Sequence, residues 1–208
     1  MQLKKSAKWL SLIGVTAVFS TLVVVLSLIL RLSVQDSLAS IDPIYTKASQ
    51  SIFSEPVNPG IPIRLLIPKI KVDAKIESVG LTAKGAVGVP KKPANTAWFN
   101  LGARPGNKGS AIIDGHYGRW KNGDSSVFDN LNKLKKGDKI YVKDDKGSVI
   151  VFVVRKSQSY DLKADASAVF YASDDKAHLN LITCEGVWNS KTKTYYQRLV
   201  VFADREET

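Results

Sequence analysis

Three side chains in this 208-residue sequence have the chemistry of a nucleophilic site: Cys184, His116 and Arg198. Cys184 is the only cysteine, so an internal disulfide is excluded and the thiol is either a buried filler or a nucleophile. A free thiol with an ordinary pKa near 8.5 is mostly protonated at neutral pH, and a nearby cation favours the thiolate. An imidazole beside it can move protons to and from a leaving amine. A guanidinium stays charged at any working pH, so Arg198 cannot act as a base, but it can donate hydrogen bonds to a developing oxyanion. The three lie 68 and 14 positions apart along the chain (116 to 184, 184 to 198), so the fold alone can bring them together.

The elements that must do so read as short strands. Apolar alternation marks 61–67, 74–79, 86–89, 96–99, 110–114, 139–143, 148–154, 179–183 and 195–202. Asp144-Asp145-Lys146-Gly147 between two of these runs is a hairpin signal. Helical segments are expected only over 126–134 and 164–171. Many closely spaced strands with turn signals between them predict an all-β barrel or sandwich. His116 then follows the end of one strand, Cys184 ends another, and Arg198 lies inside the last.

The N-terminus has a different character. Trp9 to Leu30 is 22 residues without a charge, long enough to span a bilayer as a helix and longer than the apolar core of a cleaved signal peptide. Lys4, Lys5 and Lys8 precede it and Arg31 follows, which predicts a cytoplasmic N-terminus and an exported remainder. The expected organisation is a cytoplasmic segment over 1–8, a transmembrane signal anchor over 9–30, a stalk over 31–60 and a folded domain over 61–208. Of the net charge of +11, the four flanking residues account for +4 and leave +7 on the exported part. That balance suits an anionic envelope or a plain solvated surface. Without basic–aromatic interleaving, nucleic acid is not an expected partner.

Leu181-Ile182-Thr183-Cys184, Gly115-His116 upstream and Gln197-Arg198-Leu199-Val200-Val201 downstream, together with the signal anchor, resemble the sortases, cysteine transpeptidases of the cell surface. The resemblance runs from Ile61-Pro62-Ile63-Arg64-Leu65-Leu66-Ile67-Pro68 to Phe202. It implies an eight-stranded β-barrel with short helices, and cleavage of a Leu-Pro-x-Thr-Gly-like sorting signal on surface proteins through a thioacyl intermediate. An amine of a peptidoglycan precursor or a pilin then resolves that intermediate. Cys184 is implied as nucleophile, His116 as general acid and base, and Arg198 as the oxyanion and substrate stabiliser. The compact domain looks most like class F, with classes A and D as alternatives. Asn180, where threonine is common, and Asp114, where a small residue usually precedes Gly-His, depart from the family pattern.

Three further residues are candidates for substrate contact. Thr183 offers a hydroxyl or backbone contact near the oxyanion. Trp188, in a loop expected over 185–194, either lines the groove or anchors the loop. Asp114 faces the same side as His116 if the strand persists, and its carboxylate would then raise the imidazole pKa. His178, beside Asp174, Asp175 and Lys176, reads as a surface residue without a role, and Arg155 and Arg205 as surface cations. The Asp pairs lack the spaced oxygen ligands of a calcium loop, so no metal and no cofactor is expected. The competing readings are a membrane-tethered, non-catalytic β-barrel for binding or adhesion, and another cell-wall cysteine peptidase. The latter enzymes carry Ser-x-Gly-Cys or a cysteine upstream of its histidine, whereas here His116 precedes Cys184.

Overall fold

Eight strands close on themselves in a computed structural model that describes residues 58–120 and 123–207. The anchor expected over 9–30 and nearly all of the stalk expected over 31–60 lie outside the described residues. In chain order the strands are β1 (Pro62–Ile67), β2 (Val72–Val79), β3 (Thr96–Phe99), β4 (Gly109–Gly115), β5 (Lys139–Asp144), β6 (Val149–Asp161), β7 (Ala177–Asn189) and β8 (Thr194–Arg205). A single four-residue helix, α1 (Ser167–Phe170), lies between β6 and β7 among the described residues. Around the barrel the order is β1-β2-β3-β4-β7-β8-β6-β5, with β2–β3 and β4–β7 parallel and the other pairs antiparallel. Closure removes the exposed edges that an open sheet would leave unpaired, and of the two architectures left open by the sequence the structure is the barrel.

Alternation sorts the side chains. Leu179 and Leu181 of β7, and Leu199, Val201 and Ala203 of β8, point inward and join Leu65, Ile67, Ile113, Val142 and Phe152 in one core. Phe128 and Leu131, from the connection after β4, belong to the same core. On the outer face, Ile112, Val200 and Phe202 form a second, smaller cluster with Val169 of α1. The β6–β7 connection is therefore packed onto the outside of β4, β7 and β8.

Several boundaries differ from those expected. Residues 86–89 form no strand; a single bridge, Leu81 with Val87, joins that stretch to its neighbour. Within 126–134 only Leu131–Lys133 is helical, as a 3-10 turn. β6 runs on past Val154 to Asp161, pairing with β8 across an irregularity between Val154 and Lys156, so Arg155 is inside a strand rather than at its end. β7 continues to Asn189 across a bulge between Glu185 and Trp188, with Gly186 at φ +89°. Trp188 therefore stands on a strand and not in a loop, and Cys184 is near the last regular position before the bulge instead of at the strand's end.

Candidate active site

The β7–β8 register sets the site. Cys184 is paired directly with Arg198, and Ile182 with Val200, so the thiol and the guanidinium share the outer face in adjacent rows. On the other side of β7, Asp114 is paired with Ile182 through the parallel β4–β7 ladder. Asp114, Ile182, Cys184 and Arg198 thus occupy neighbouring positions on one surface, and β4 ends at Gly115, one residue before His116.

His116 is held by its backbone and by its ring. Its carbonyl accepts from Phe128 N–H at 3.0 Å. Its Nε2 lies 2.7 Å from the carbonyl of Pro90, which can only accept, so Nε2 carries the hydrogen and Nδ1 is left for proton transfer. The ring packs against Trp120 with centroids 4.8 Å apart. Gly115 is required by close approach: a Cβ there would come within 2.6 Å of Phe128 Cε2 and within 2.8 Å of Val127. Asp129 braces the segment after His116 by accepting from Gly118 N–H at 2.7 Å and Ser126 N–H at 3.0 Å.

Arg198 is oriented by its own strand, Nη1 donating to the carbonyls of Gln197 at 3.0 Å and Tyr195 at 3.3 Å. The remaining guanidinium hydrogens face no carboxylate in an ion pair among the described residues. Burial pushes the Cys184 thiol above its ordinary pKa, Arg198 pulls it down, and Asp114 adds to the rise. Burial also pushes the Asp114 carboxyl up to about 7, against the pull of Arg198. The resting sulfur is accordingly a neutral, half-buried thiol.

Around these groups opens a cleft of about 650 Å³ that contains Cys184, His116 and Arg198 in its walls, with Tyr117, Trp120, Trp188 and Tyr195 as further lining. Tyr195 stacks edge-on with Tyr117 at 5.4 Å and with Trp188 at 5.1 Å. The structure therefore brings together all three chemistry-bearing residues and Trp188, whose ring is half exposed.

The other predicted contacts are placed differently. Thr183 points into the barrel, is 1% exposed, and donates its hydroxyl to the Gly115 carbonyl at 2.7 Å. Its hydroxyl cannot reach an oxyanion at Cys184; it ties the cysteine strand to the end of the histidine strand. Asp114 stands on the last stretch of β4, which ends at Gly115, and its charge interacts with Arg198 and Cys184. His178 is not a surface residue. It is buried, with Nδ1 2.7 Å from Asp204 and Nε2 2.7 Å from Asp174, so it joins the β6–β7 connection to β8. Pro90, Asp129, Tyr117 and Tyr195 were not singled out by sequence; they come to the site from separate segments, and no local spacing marks them.

The sortase domain family matches residues 65–206. The chain belongs to the sortase family. The sortase barrel resembles solved structures at identities that speak to the fold. Sortase C-1 from Actinomyces oris is 21% identical with a TM-score of 0.56, over 77% of this chain and 82% of that one. A lid mutant of sortase A from Corynebacterium diphtheriae is 20% identical with a TM-score of 0.55, over 73% of each chain. The Group B Streptococcus Pilus Island 1 sortase C2 is 24% identical with a TM-score of 0.53, over 73% of this chain and 76% of that one. No curated protein sequence matches. As a sortase the chain is a cysteine transpeptidase, which sets aside the non-catalytic tethered barrel and the unrelated cell-wall cysteine peptidases.

Proposed function

We propose that this sortase cleaves a Leu-Pro-x-Thr-Gly-like sorting signal after the threonine and transfers the acyl fragment to an amine, with Cys184, His116 and Arg198 as its catalytic residues. The pairing of Cys184 with Arg198 in one cleft with His116 carries this reading. As the substrate carbonyl approaches, His116 Nδ1 takes the thiol proton and the sulfur adds to the carbonyl carbon, the carbonyl electron pair moving to oxygen. Guanidinium N–H groups of Arg198 stabilise that oxyanion. Collapse breaks the C–N bond, the imidazolium returns its proton to the leaving glycine amine, and a thioester remains on Cys184. An incoming neutral amine then attacks the thioester, gives its proton to His116 and expels the thiolate as the new amide forms.

The 9–30 run anchors the enzyme in the membrane with its N-terminus cytoplasmic and the barrel outside, supported by its length and by the lysines before it. Its substrates are then surface proteins bearing the signal, and its acceptor is an amine of a peptidoglycan precursor or of a pilin. Trp188, on the cleft wall, takes an apolar residue of the signal. A cleavage screen against Leu-Pro-x-Thr-x peptides, wild type against Cys184→Ala, tests the proposal; cleavage that persists in the alanine variant ends it.

A further inference from the structure

A second cavity, of about 200 Å³, opens on the outer face of the barrel beside the β6–β7 connection. It shares no lining residue with the catalytic cleft. Asn180 and Phe202, paired across β7 and β8, are among its walls. Asn180 lies four residues before Cys184 on β7, about 13 Å along a strand. Ile182 and Val200, packed with Val169 of α1, occupy the row between the two openings. Asn180 is 1% exposed, and its Nδ2 donates to the Val169 carbonyl at 2.6 Å, which fixes the orientation of the amide. Its Oδ1 then has no hydrogen-bond partner. Buried acceptors are nearly always satisfied, and this one belongs to a side chain in a cavity wall. Lys156 and Arg155 also line the cavity. Lys156 forms no ion pair among the described residues; its Nζ meets Gln158 Oε1 at 3.1 Å and stands 4.7 Å from the Phe202 ring centre. Arg155 reaches Asp204 only through Nε, at 3.4 Å. Asp174 and Asp204 are themselves engaged by the two ring nitrogens of His178, each at 2.7 Å.

We infer that this cavity binds a small hydroxylated anion, whose hydroxyl donates to Asn180 Oδ1 while its carboxylate or phosphate is held by Lys156 and Arg155. The site is separate from the catalytic one and does not depend on the transpeptidase chemistry. Three physical points support it. A buried oxygen that only accepts calls for a ligand with a hydrogen to give, because leaving it unmet costs its full desolvation. An ammonium without a carboxylate, beside a guanidinium with Nη hydrogens to spare, draws negative charge to the opening and turns cations away. The volume, equal to about seven waters at roughly 30 Å³ each, suits a three-carbon polyol phosphate or hydroxy acid and is too small for a nucleotide.

Isothermal titration calorimetry of the full-length enzyme in detergent tests this. Glycerol 3-phosphate and glycerate are the hydroxylated anions; glycerol lacks the charge and propionate lacks the hydroxyls. Glycerol and propionate are expected to bind about tenfold more weakly than the better anion, the worth of one good hydrogen bond or ion pair. Whichever anion binds more tightly assigns the charged group as phosphate or carboxylate. Lys156→Gln is expected to weaken binding about threefold, the range of an exposed ion pair. Asn180→Ala is expected to weaken it about tenfold by removing the acceptor. Lys156 is exposed, so its variant keeps the test open even where Asn180→Ala fails to fold. The sole cysteine separates the two openings: methylthiolation of Cys184 blocks the cleft and is expected to leave the affinity unchanged. Four results overturn the inference: no saturable heat from either anion at tens of millimolar, propionate binding as tightly as glycerate, an affinity unchanged in Lys156→Gln, or binding abolished by the modification of Cys184.

Discussion

Asp114→Asn is the substitution whose consequence follows most directly from the site's electrostatics. The carboxyl has an ordinary value of 3.8 and is pushed up to about 7 by burial in the folded protein, despite Arg198. Between those values the folded state holds a proton that the unfolded state has released. Stability therefore declines as pH rises from about 4 to about 7, and the full cost of burying the charge is present above that. At about 1.4 kcal/mol for each tenfold change in proton affinity, that cost is up to about 4 kcal/mol. An asparagine is neutral throughout. The variant is expected to match wild type near pH 4, to lose the downward slope between pH 4 and 7, and to melt about 10 °C higher at pH 8, taking two to four degrees per kcal/mol for a protein of this size. Thermal unfolding of both proteins from pH 4 to 8, followed by circular dichroism, checks this. Parallel curves across the whole range would show that Asp114 is not the titrating group and would refute the reasoning.

The same charges make predictions for the thiol and for the scaffold beneath it. Because Arg198 lowers and Asp114 raises the Cys184 pKa, the pH midpoint for alkylation by a neutral reagent should move up in Arg198→Gln and down in Asp114→Asn; movement in one direction for both would contradict the assignment. Gly115→Ala should destabilise the fold by about 1–3 kcal/mol, the range for overpacking, with partial rescue by Phe128→Leu, as read by urea unfolding. Thr183→Val leaves the Gly115 carbonyl without its buried donor and should cost about 1–3 kcal/mol, again by urea unfolding, because the role of the hydroxyl is to join β7 to β4.

What the sequence made legible was local. The apolar alternation of 61–67, 110–114 and 179–183 places strands where β1, β4 and β7 lie, and the Asp-Asp-Lys-Gly turn places the β5–β6 hairpin. The polar second half of β6, from Arg155 to Asp161, shows no such pattern, because its strand character comes from pairing with β8 and not from its own burial. The bulge after Glu185 hid the continuation of β7 in the same way. The burial of His178 is not visible in its sequence neighbourhood, because its ring is held by two half-exposed carboxylates, Asp174 nearby in sequence and Asp204, 26 residues beyond the histidine. The inward direction of Thr183 was available from alternation alone, since it neighbours a cysteine that faces out. The pairing of Cys184 with Arg198 was not, because register between β7 and β8 is a property of the closed barrel.

The central claim is that Cys184 carries the acyl group between the two halves of the reaction. Intact-mass spectrometry of the enzyme, quenched in acid during turnover of a Leu-Pro-x-Thr-Gly peptide without an added amine, tests it most directly. The account predicts an adduct equal to the peptide fragment ending at threonine, labile to hydroxylamine and missing in Cys184→Ala. Peptide cleavage with no adduct on the wild type, or an adduct that survives in Cys184→Ala, would contradict it.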